Sequence, residues 1–222
     1  MGKGGRLAIT IVVLALATVG IVFSVKALLY TPSTVVYTPT NGQVNVTMQT
    51  VGSYGHAPNP TWVSYLTENQ QGQWVHTTLW QVPAHTRVNV TIYQFDSGSP
   101  LRNQQIGQVT GTLGKSATLN GATFKVINSN IGNGIGHTFS IPTLGISVPL
   151  AGNSGSANLC AVAPCSPSST AYPHNTITFS FTSPGPGNYP WQCFVPCALG
   201  FLYGNGGPMQ TVGYMGGFMK VV

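Results

Sequence analysis

The sequence contains almost no acidic residues. Glu68 and Asp96 are the only carboxylates among 222 residues, and charged residues make up 5% of the chain. Hydrolytic sites built on paired carboxylates or on a Ser-His-Asp triad need acidic side chains in a defined arrangement. Neither Glu68 nor Asp96 lies in a recognisable motif, so we expect both in solvated turns. The scarcity of acid argues against a hydrolase, and no catalytic site is evident.

Basic residues are also few. The net charge of +6 comes from eight Lys and Arg, three of which lie within the first 26 residues. This distribution leaves no basic patch for a nucleic acid. A surface of Asn, Gln, Ser and Thr changes little as the pH falls, whereas a carboxylate-rich surface loses negative charge near about pH 4. The composition therefore favours an acidic exterior, as an acidophile meets.

A glycan-covered surface on a secreted protein is the alternative explanation. Two sequons, Asn45-Val-Thr47 and Asn89-Val-Thr91, make Asn45 and Asn89 candidate glycosylation sites.

The N-terminal region has a long run without charge, from Leu7 to Val25. A helix of this length rises nearly the thickness of a bilayer core, so we predict a transmembrane helix over 7–29. A cleaved signal peptide is the alternative, but its apolar core is usually about 7–15 residues and a small-residue cleavage site should follow. Lys26 stands where those small residues should be.

The basic residues around this run predict its orientation. Lys3 and Arg6 precede it and Lys26 follows it, which favours a cytoplasmic N-terminus over residues 1–6. We therefore expect a single-pass protein of the cell membrane, with a linker over 30–42 and an extracytoplasmic domain over 43–222.

Beyond residue 30 the chain lacks a persuasive helical period. Short segments rich in β-branched and aromatic residues alternate with clusters of Gly, Pro, Asn and Ser, which is typical of strands and turns. The predicted strands are 44–51, 75–82, 87–95, 122–128, 137–141, 177–182 and 217–222. This pattern predicts an all-β domain, a Greek-key β-sandwich or barrel.

One combination of segments carries chemistry. His137 opens a strand in GHTFSI, GNYPWQC leads to Cys193, and a glycine-rich loop then runs to Met215 before the last strand, GGFMKVV. This arrangement resembles the cupredoxin family, in which a histidine starts one strand and a Gly-x-Tyr-x-aromatic-x-Cys segment enters the ligand loop. VPAHTRVNVTI is similar to a Pro-Ala-Gly-x-x-Val-x-Val strand entry of that family, with His85 replacing the glycine.

Two cysteines with three residues between them resemble, within that family, the binuclear copper centre of oxidase subunit II. That subunit also has a membrane anchor before an exterior domain. The resemblance implies that Cys193 and Cys197 are thiolate ligands, His137 the first imidazole, and Met215 or Met209 the thioether. Such soft ligands with imidazole suit Cu(I)/Cu(II) cycling.

The ligand loop lacks a histidine. Subunit II has a carboxylate residue midway between its cysteines and a histidine four residues after the second, where this chain has Val195 and Phe201. Four other histidines are substitutes to consider, and we expect the last two to lie at the opposite end of the sandwich: His56, His76, His174 and His85.

The cysteines also allow a metal-free interpretation. The exterior is oxidising and the cysteine count is even, so disulfides are expected there. The candidates are Cys160, Cys165, Cys193 and Cys197, paired within each close pair or across the loops. A disulfide between Cys193 and Cys197 would take both sulfurs from copper, because only thiolates bind. Bound copper and no cofactor both remain open.

Three functions follow from these patterns. The first is a membrane-anchored, subunit II-like subunit of a respiratory, terminal oxidase-type complex, with a degenerate or absent copper site. The second is a copper-binding electron-transfer protein that uses His137, Cys193, Cys197 and Met215. The third is an extracellular surface or filament protein. In the first two, the expected partners are the membrane and the other subunits of the complex.

Overall fold

The structure, a computed structural model, describes residues 2–28, 32–55, 61–153, 160, 162–197 and 207–222. These residues form one α-helix followed by strands, joined by turns and short 3-10 segments. The elements are α1 (Lys3–Leu28), β1 (Val35–Val36), β2 (Gln43–Tyr54), β3 (Trp62–Glu68), β4 (Trp74–Val75), β5 (Leu79–Val82), β6 (Arg87–Gln94), β7 (Ala117–Leu119), β8 (Ala122–Phe124), β9 (Ile135–Ile141), β10 (Ile146–Ala151), β11 (Asn175–Thr182), β12 (Gly187–Gln192) and β13 (Gly216–Val221).

Helix α1 is apolar throughout the part that could cross a membrane. Gly4–Val25 has a mean hydropathy of 2.7 over its most apolar window, and its side chains are exposed rather than packed on the domain. Twenty-two residues rise about 33 Å, enough for a bilayer core. The predicted apolar N-terminal helix is confirmed. Its length and composition suit a membrane anchor and a signal sequence alike.

The remainder of the described chain forms two sheets. One has six strands in the order β1-β5-β13-β12-β9-β10, and the other has seven in the order β4-β3-β2-β6-β11-β7-β8. Most neighbours are antiparallel, but β1 with β5, β5 with β13, and β2 with β6 run parallel. Inward-facing side chains of both sheets share one core, so the predicted all-β sandwich is confirmed.

Aromatic rings fill the middle of this core. Trp191 lies edge-on to Tyr65 with ring centroids 5.1 Å apart, and 5.0 Å from Phe139. All three side chains are fully buried or nearly so. Large rings in contact bury much apolar area and favour edge-to-face or tilted contacts. Because Phe139 lies two residues after His137 and Trp191 two residues before Cys193, this packing fixes β9 and β12 near both residues.

The predicted strand over 75–82 is wrong as a single strand. Residues 74–75 belong to the seven-stranded sheet and residues 79–82 to the six-stranded one. The chain changes sheets at Thr77 and Thr78, both fully buried. Their hydroxyls donate to the carbonyls of Ser33 and Gly216, at 2.6 Å each. Hydrogen bonds to segments 44 and 138 residues away therefore interrupt a run that looks like one continuous strand.

A second, smaller cluster holds the disulfide loop. Cys160 and Cys165 are bonded and pack with Val51, Leu66 and Phe95. The buried Gln49 side chain joins this loop to β2. Its Nε2 donates to Cys165 O at 3.3 Å and its Oε1 accepts from Cys165 N at 2.9 Å.

The contact between β13 and the sheet-crossing residues depends on a glycine. A Cβ on Gly217 would lie 2.1 Å from Thr78 O and 2.4 Å from Thr78 Oγ1. Phe218 N donates to the same carbonyl at 3.1 Å. A side chain at position 217 would therefore force β13 away from β5.

We predict that Gly217→Ala lowers the free energy of unfolding by about 1–3 kcal/mol, the usual cost of overpacking. The measurement is chemical denaturation of the full chain in detergent. Gly185→Ala is the control, since a Cβ there has no atom within 4 Å. Equal stability of the two variants would contradict this account of the β13–β5 contact.

Candidate metal centre

His137 is held rigidly in the six-stranded sheet. It lies in β9, whose residues are all buried, and its Cα pairs with Leu150 of β10. Only 2% of the residue is exposed. On its other side β9 adjoins β12, through the pair Ser140 and Gln192. This order of strands brings the imidazole to the end of the sheet where the cysteine segment leaves β12.

Cys193 follows directly after β12 and is fixed by backbone hydrogen bonds. Its N–H donates to Met215 O at 2.8 Å, which closes the ligand loop at its base. Its Sγ accepts a hydrogen bond from Thr138 N at 3.3 Å. Phe194 N donates to Thr138 Oγ1 at 2.8 Å. The residue after His137 thus positions the sulfur beside the imidazole.

Three potential ligand atoms converge at this point. The Sγ atoms of Cys193 and Cys197 are 3.2 Å apart, and His137 Nδ1 lies 3.1 Å from Cys197 Sγ and 3.8 Å from Cys193 Sγ. An ion bound at about 2.0–2.3 Å from imidazole nitrogen and thiolate sulfur brings its ligand atoms to separations of this order. Both cysteines are free thiols, whereas Cys160 and Cys165 are bonded to each other.

Asp96 lies on the far side of the imidazole, and the expectation of a solvated turn is wrong for it. Its Oδ2 is 3.0 Å from His137 Nε2, and 18% of its side chain is exposed. The sequence gives no local signal for this contact, because 41 residues separate the two positions. Asp96 is therefore a residue of the candidate site that sequence reasoning missed.

The carboxylate and the imidazole stabilise each other's charged forms. Burial by itself lowers the pKa of His137, but hydrogen bonds to Asp96 and Cys193 outweigh it and raise this pKa from 6.5 to about 9. Burial by itself raises the pKa of Asp96, and the hydrogen bond and charge of His137 bring it below its ordinary value. In the metal-free protein the pair is ionised at neutral pH.

The two thiols differ in acidity. Burial acts to raise the pKa of Cys193, but hydrogen bonds from Cys197 and His137 bring it well below the ordinary value. The hydrogen bond to Cys193, burial and the charge of Cys193 raise the pKa of Cys197. The Cys193 thiol is therefore the more readily ionised of the two, and metal binding has to displace the proton of Cys197.

Tyr65 closes the inner side of the site. Its hydroxyl donates to Thr138 O at 3.0 Å, and its side chain is fully buried. Burial, followed by the charges of Cys193 and Cys197, raises its pKa well above 10. The phenol therefore stays neutral and holds β9 from the side of the core.

The two candidate methionines lie in different environments. Met215 is fully buried in the core cluster that contains Cys193, and its backbone carbonyl accepts from Cys193 N at 2.8 Å. Met209 is only partly buried and packs on the edge of that cluster. Met215 is thus the better placed of the two. Phe201 lies outside the described residues.

None of the other histidines that the structure describes joins the cluster. Among the described residues, the His/Cys/Asp/Glu group able to hold a metal ion consists of His137, Cys193 and Cys197. His76 lies between the rings of Tyr54 and Tyr214. His56 is outside the described residues.

His85 and His174 are both expected at the end of the sandwich opposite the metal centre, and the structure agrees for His85 alone. His85 precedes β6, whose first residue pairs with Thr182 at the far end of the sandwich. His174 precedes β11, whose first residue pairs with Gln94, so it lies at the same end as Asp96. The ring centroids of His174 and Phe95 are 4.8 Å apart. The placement expected for His174 is wrong because β11 and β12 run in opposite directions.

The two sequon asparagines face each other on β2 and β6. Asn89 Nδ2 donates to Asn45 Oδ1 at 3.0 Å. Asn89 Oδ1 also accepts from Arg87 and Ser180. Asn45 is exposed, so glycosylation there stays a prediction, while the Asn89 amide is already engaged within the sheet.

The three segments that carry the family resemblance are adjacent in one sheet. The histidine strand β9, the cysteine strand β12 and the final strand β13 are consecutive neighbours in one sheet. His85, in place of the family's glycine, adopts the left-handed conformation with φ 51°. The fold is a cupredoxin-like sandwich, preceded by one apolar helix.

Comparison with known proteins gives weak likenesses. No family model and no curated protein matches this chain. Matching solved structures include the metal-binding domain, with Cu(I), of the Cu(I)-exporting P-type ATPase CopA of Streptococcus pneumoniae D39. That match has 10% identity and a TM-score of 0.35, and covers 87% of this chain and 99% of that one.

Rusticyanin structures also match. Reduced rusticyanin is 17% identical over 90% of this chain and 95% of its own, with a TM-score of 0.35. Rusticyanin from Thiobacillus ferrooxidans is 16% identical over 87% and 84%, with a TM-score of 0.33. Likenesses this weak carry no argument about a metal, so the case for copper rests on the donor atoms of this chain.

The Asp96–His137 pair stabilises the metal-free protein over a limited pH range. Because folding raises the pKa of His137, the stabilisation is complete below the unfolded-state pKa of 6.5. It is lost as the pH rises through the folded-state pKa of about 9. Because folding lowers the pKa of Asp96, the stabilisation is present above the unfolded-state pKa of about 3.9. It is lost as the pH falls through the lower pKa of the folded state.

We therefore predict that Asp96→Asn lowers the free energy of unfolding most near about pH 5.5, and progressively less as the pH rises through about 9. Denaturation of the reduced, metal-free full chain at a series of pH values measures this difference. Glu68→Gln, a change at the other carboxylate and outside the candidate site, is the control. A loss for Asp96→Asn that is constant with pH would disprove the charge pair.

Proposed function

We propose that this protein is a membrane-anchored copper protein that transfers single electrons. One copper ion is bound by His137 Nδ1 and the thiolates of Cys193 and Cys197, with Met215 as a weak fourth ligand. The convergence of three soft donor atoms, 3.1–3.8 Å apart at one buried point, is the observation that carries the proposal.

The donor set suits copper and excludes hard ions. Thiolates select soft ions such as Cu(I) and Zn²⁺, whereas Mg²⁺ and Ca²⁺ need oxygen ligands. A structural zinc site almost always has four Cys, His or carboxylate ligands, and this cluster supplies three within the described residues. Asp96 is hydrogen-bonded to Nε2 of His137, the ring nitrogen that points away from the thiols. Two thiolates, one imidazole and a thioether suit a copper ion.

Copper in such a site supplies one-electron chemistry by changing between Cu(II) and Cu(I). The protein's part is to hold the ligands in one geometry. The Thr138 hydrogen bond to Cys193 Sγ, the loop closure at Met215 O and the burial of His137 all restrict ligand movement. Fixed ligands reduce the rearrangement that accompanies each change of charge.

The free thiols weigh against a disulfide at the site. Sγ atoms 3.2 Å apart are well beyond the bond length of about 2.05 Å. The same chain bonds Cys160 to Cys165, so the two cysteine pairs differ in state. The alternative of a metal-free domain that holds a larger assembly together has no comparable observation behind it.

The short connection between α1 and the β-sandwich supports a partner in the membrane. Leu28 ends α1 and Pro32 is four residues later, a distance of at most about 14 Å along the chain. Pro32 packs on the ligand loop, because a Cβ on Gly213 would lie 2.8 Å from Pro32 Cγ. We therefore propose that the copper end of the domain exchanges electrons with a membrane complex, such as a terminal oxidase-type respiratory complex.

Copper binding is tested with the full chain in detergent. We predict that the reduced protein binds one Cu(I) per chain, and that oxidation produces the visible absorption of a copper thiolate. His137→Ala, Cys193→Ser and Cys197→Ser should each lower Cu(I) affinity by more than about 100-fold, beyond the loss typical of an outer-shell partner.

Controls separate ligand loss from misfolding. His85→Asn changes an exposed histidine and suits its left-handed conformation, so copper binding should be unchanged. Cys160→Ser with Cys165→Ser removes the disulfide in the other cluster and should leave the copper thiolate absorption in place. A colourless wild type with no bound copper would overturn the proposed function.

Replacement of Met215 tests the weak fourth ligand. We predict that Met215→Leu keeps copper but raises the reduction potential, because Cu(II) loses a donor that Cu(I) needs less. Met219→Leu is the matched control, since Met219 is an equally buried methionine of β13. Cyclic voltammetry of both variants measures the shift, and equal potentials would exclude Met215 as a ligand.

A further inference from the structure

Asp96 is placed where an outer-shell partner of a metal ligand would lie. It follows β6, and its Oδ2 is 3.0 Å from Nε2 of His137, the ring atom opposite Nδ1. The chain has two carboxylates in all, and one of them makes this contact. In an acid-poor sequence, a largely buried carboxylate on a histidine of the metal centre calls for a functional explanation.

The carboxylate is fixed independently of His137. Asp96 Oδ1 accepts from Ser97 N at 2.8 Å. Asp96 O accepts from Asn153 N at 3.1 Å and from Gln94 Nε2 at 3.2 Å. Gly52 leaves room for the side chain, since a Cβ there would lie 3.1 Å from Oδ1. Asp96 is thus a preset acceptor against which the imidazole is aligned.

A preset acceptor decides which ring nitrogen carries hydrogen. An ionised carboxylate has no hydrogen to donate, so the contact with Asp96 requires a hydrogen on His137 Nε2. The ring is then oriented with Nδ1 toward the two sulfurs. Metal-binding histidines usually have such a partner, which fixes ring orientation and raises ligand basicity.

We propose that Asp96 is a positioning residue of the copper site, which rests on the proposed function. Its carboxylate holds Nε2–H so that Nδ1 presents its lone pair to copper. Its negative charge acts through the imidazole and stabilises Cu(II) relative to Cu(I). Copper, when bound, would supply the one-electron change, and the Asp96 carboxylate would keep the proton on Nε2 in both oxidation states.

Two variants separate the positioning effect from the charge effect. Asp96→Asn keeps an oxygen that can accept from Nε2–H but removes the charge. Asp96→Ala removes both. We expect Asp96→Ala to lower Cu(I) affinity by about 10–100-fold, and Asp96→Asn to lower it less. Both variants should shift the reduction potential to a more positive value, because Cu(II) loses more stabilisation than Cu(I).

Glu68→Gln is the matched control, since Glu68 is the only other carboxylate and lies at the end of β3. It should change neither affinity nor potential. A role limited to stability would lower the unfolding temperature of the Asp96 variants but leave their potentials at the wild-type value, and that result would overturn the proposal.

A metal-free measurement keeps the test independent of copper. In reduced apo-protein with 15N-labelled histidine, we expect the Nε2–H proton of His137 to exchange slowly with solvent in wild type and Asp96→Asn, and rapidly in Asp96→Ala. The exposed His85 provides a fast-exchange reference in each sample. Slow exchange in Asp96→Ala would contradict the positioning role. Absence of copper from the wild type defeats the proposed function, while this experiment still decides what Asp96 does.

Discussion

Thr138 joins the two halves of the candidate centre, and the geometry of the site depends on its hydrogen bonds. Its N–H donates to Cys193 Sγ, its hydroxyl accepts from Phe194 N, and its carbonyl accepts from Tyr65. Because Thr138 follows His137 directly, each bond also fixes the imidazole relative to the cysteine segment. The adjacency of β9 and β12 makes these bonds possible.

The candidate centre places side chains of opposite charge next to one another. A buried thiolate costs solvation energy, and here the Cys197 thiol and His137 offset that cost. The resulting imidazolium is in turn stabilised by Asp96. A carboxylate, an imidazolium and a thiolate in this order alternate in charge, so each stabilises its neighbour. Copper would replace the proton at Nδ1 and the proton of Cys197, with the same ligands in the same places.

Much of this arrangement could be predicted from the sequence. Alternating β-branched segments identified the all-β class, and an uncharged run identified the helix. The resemblance of these segments to the cupredoxin family implied that His137, Cys193 and Cys197 would meet, although 56 residues separate the first two. His85 was placed at a family glycine position, and its φ of 51° agrees with that assignment.

Other features depend on contacts between distant segments and have no local signal. Asp96 meets His137 across 41 residues, and Gln49 holds Cys165 across 116. The prediction of one strand over 75–82 is wrong because β-branched residues continue through Thr77 and Thr78, where the chain changes sheets.

The central claim is that both cysteines and His137 bind one copper ion. X-ray absorption spectroscopy at the copper edge of the loaded full-length protein tests this most directly. The account predicts two sulfur neighbours and one nitrogen neighbour in the first shell, with no copper–copper scattering. A first shell of oxygen and nitrogen alone, or a close copper–copper distance, would contradict it.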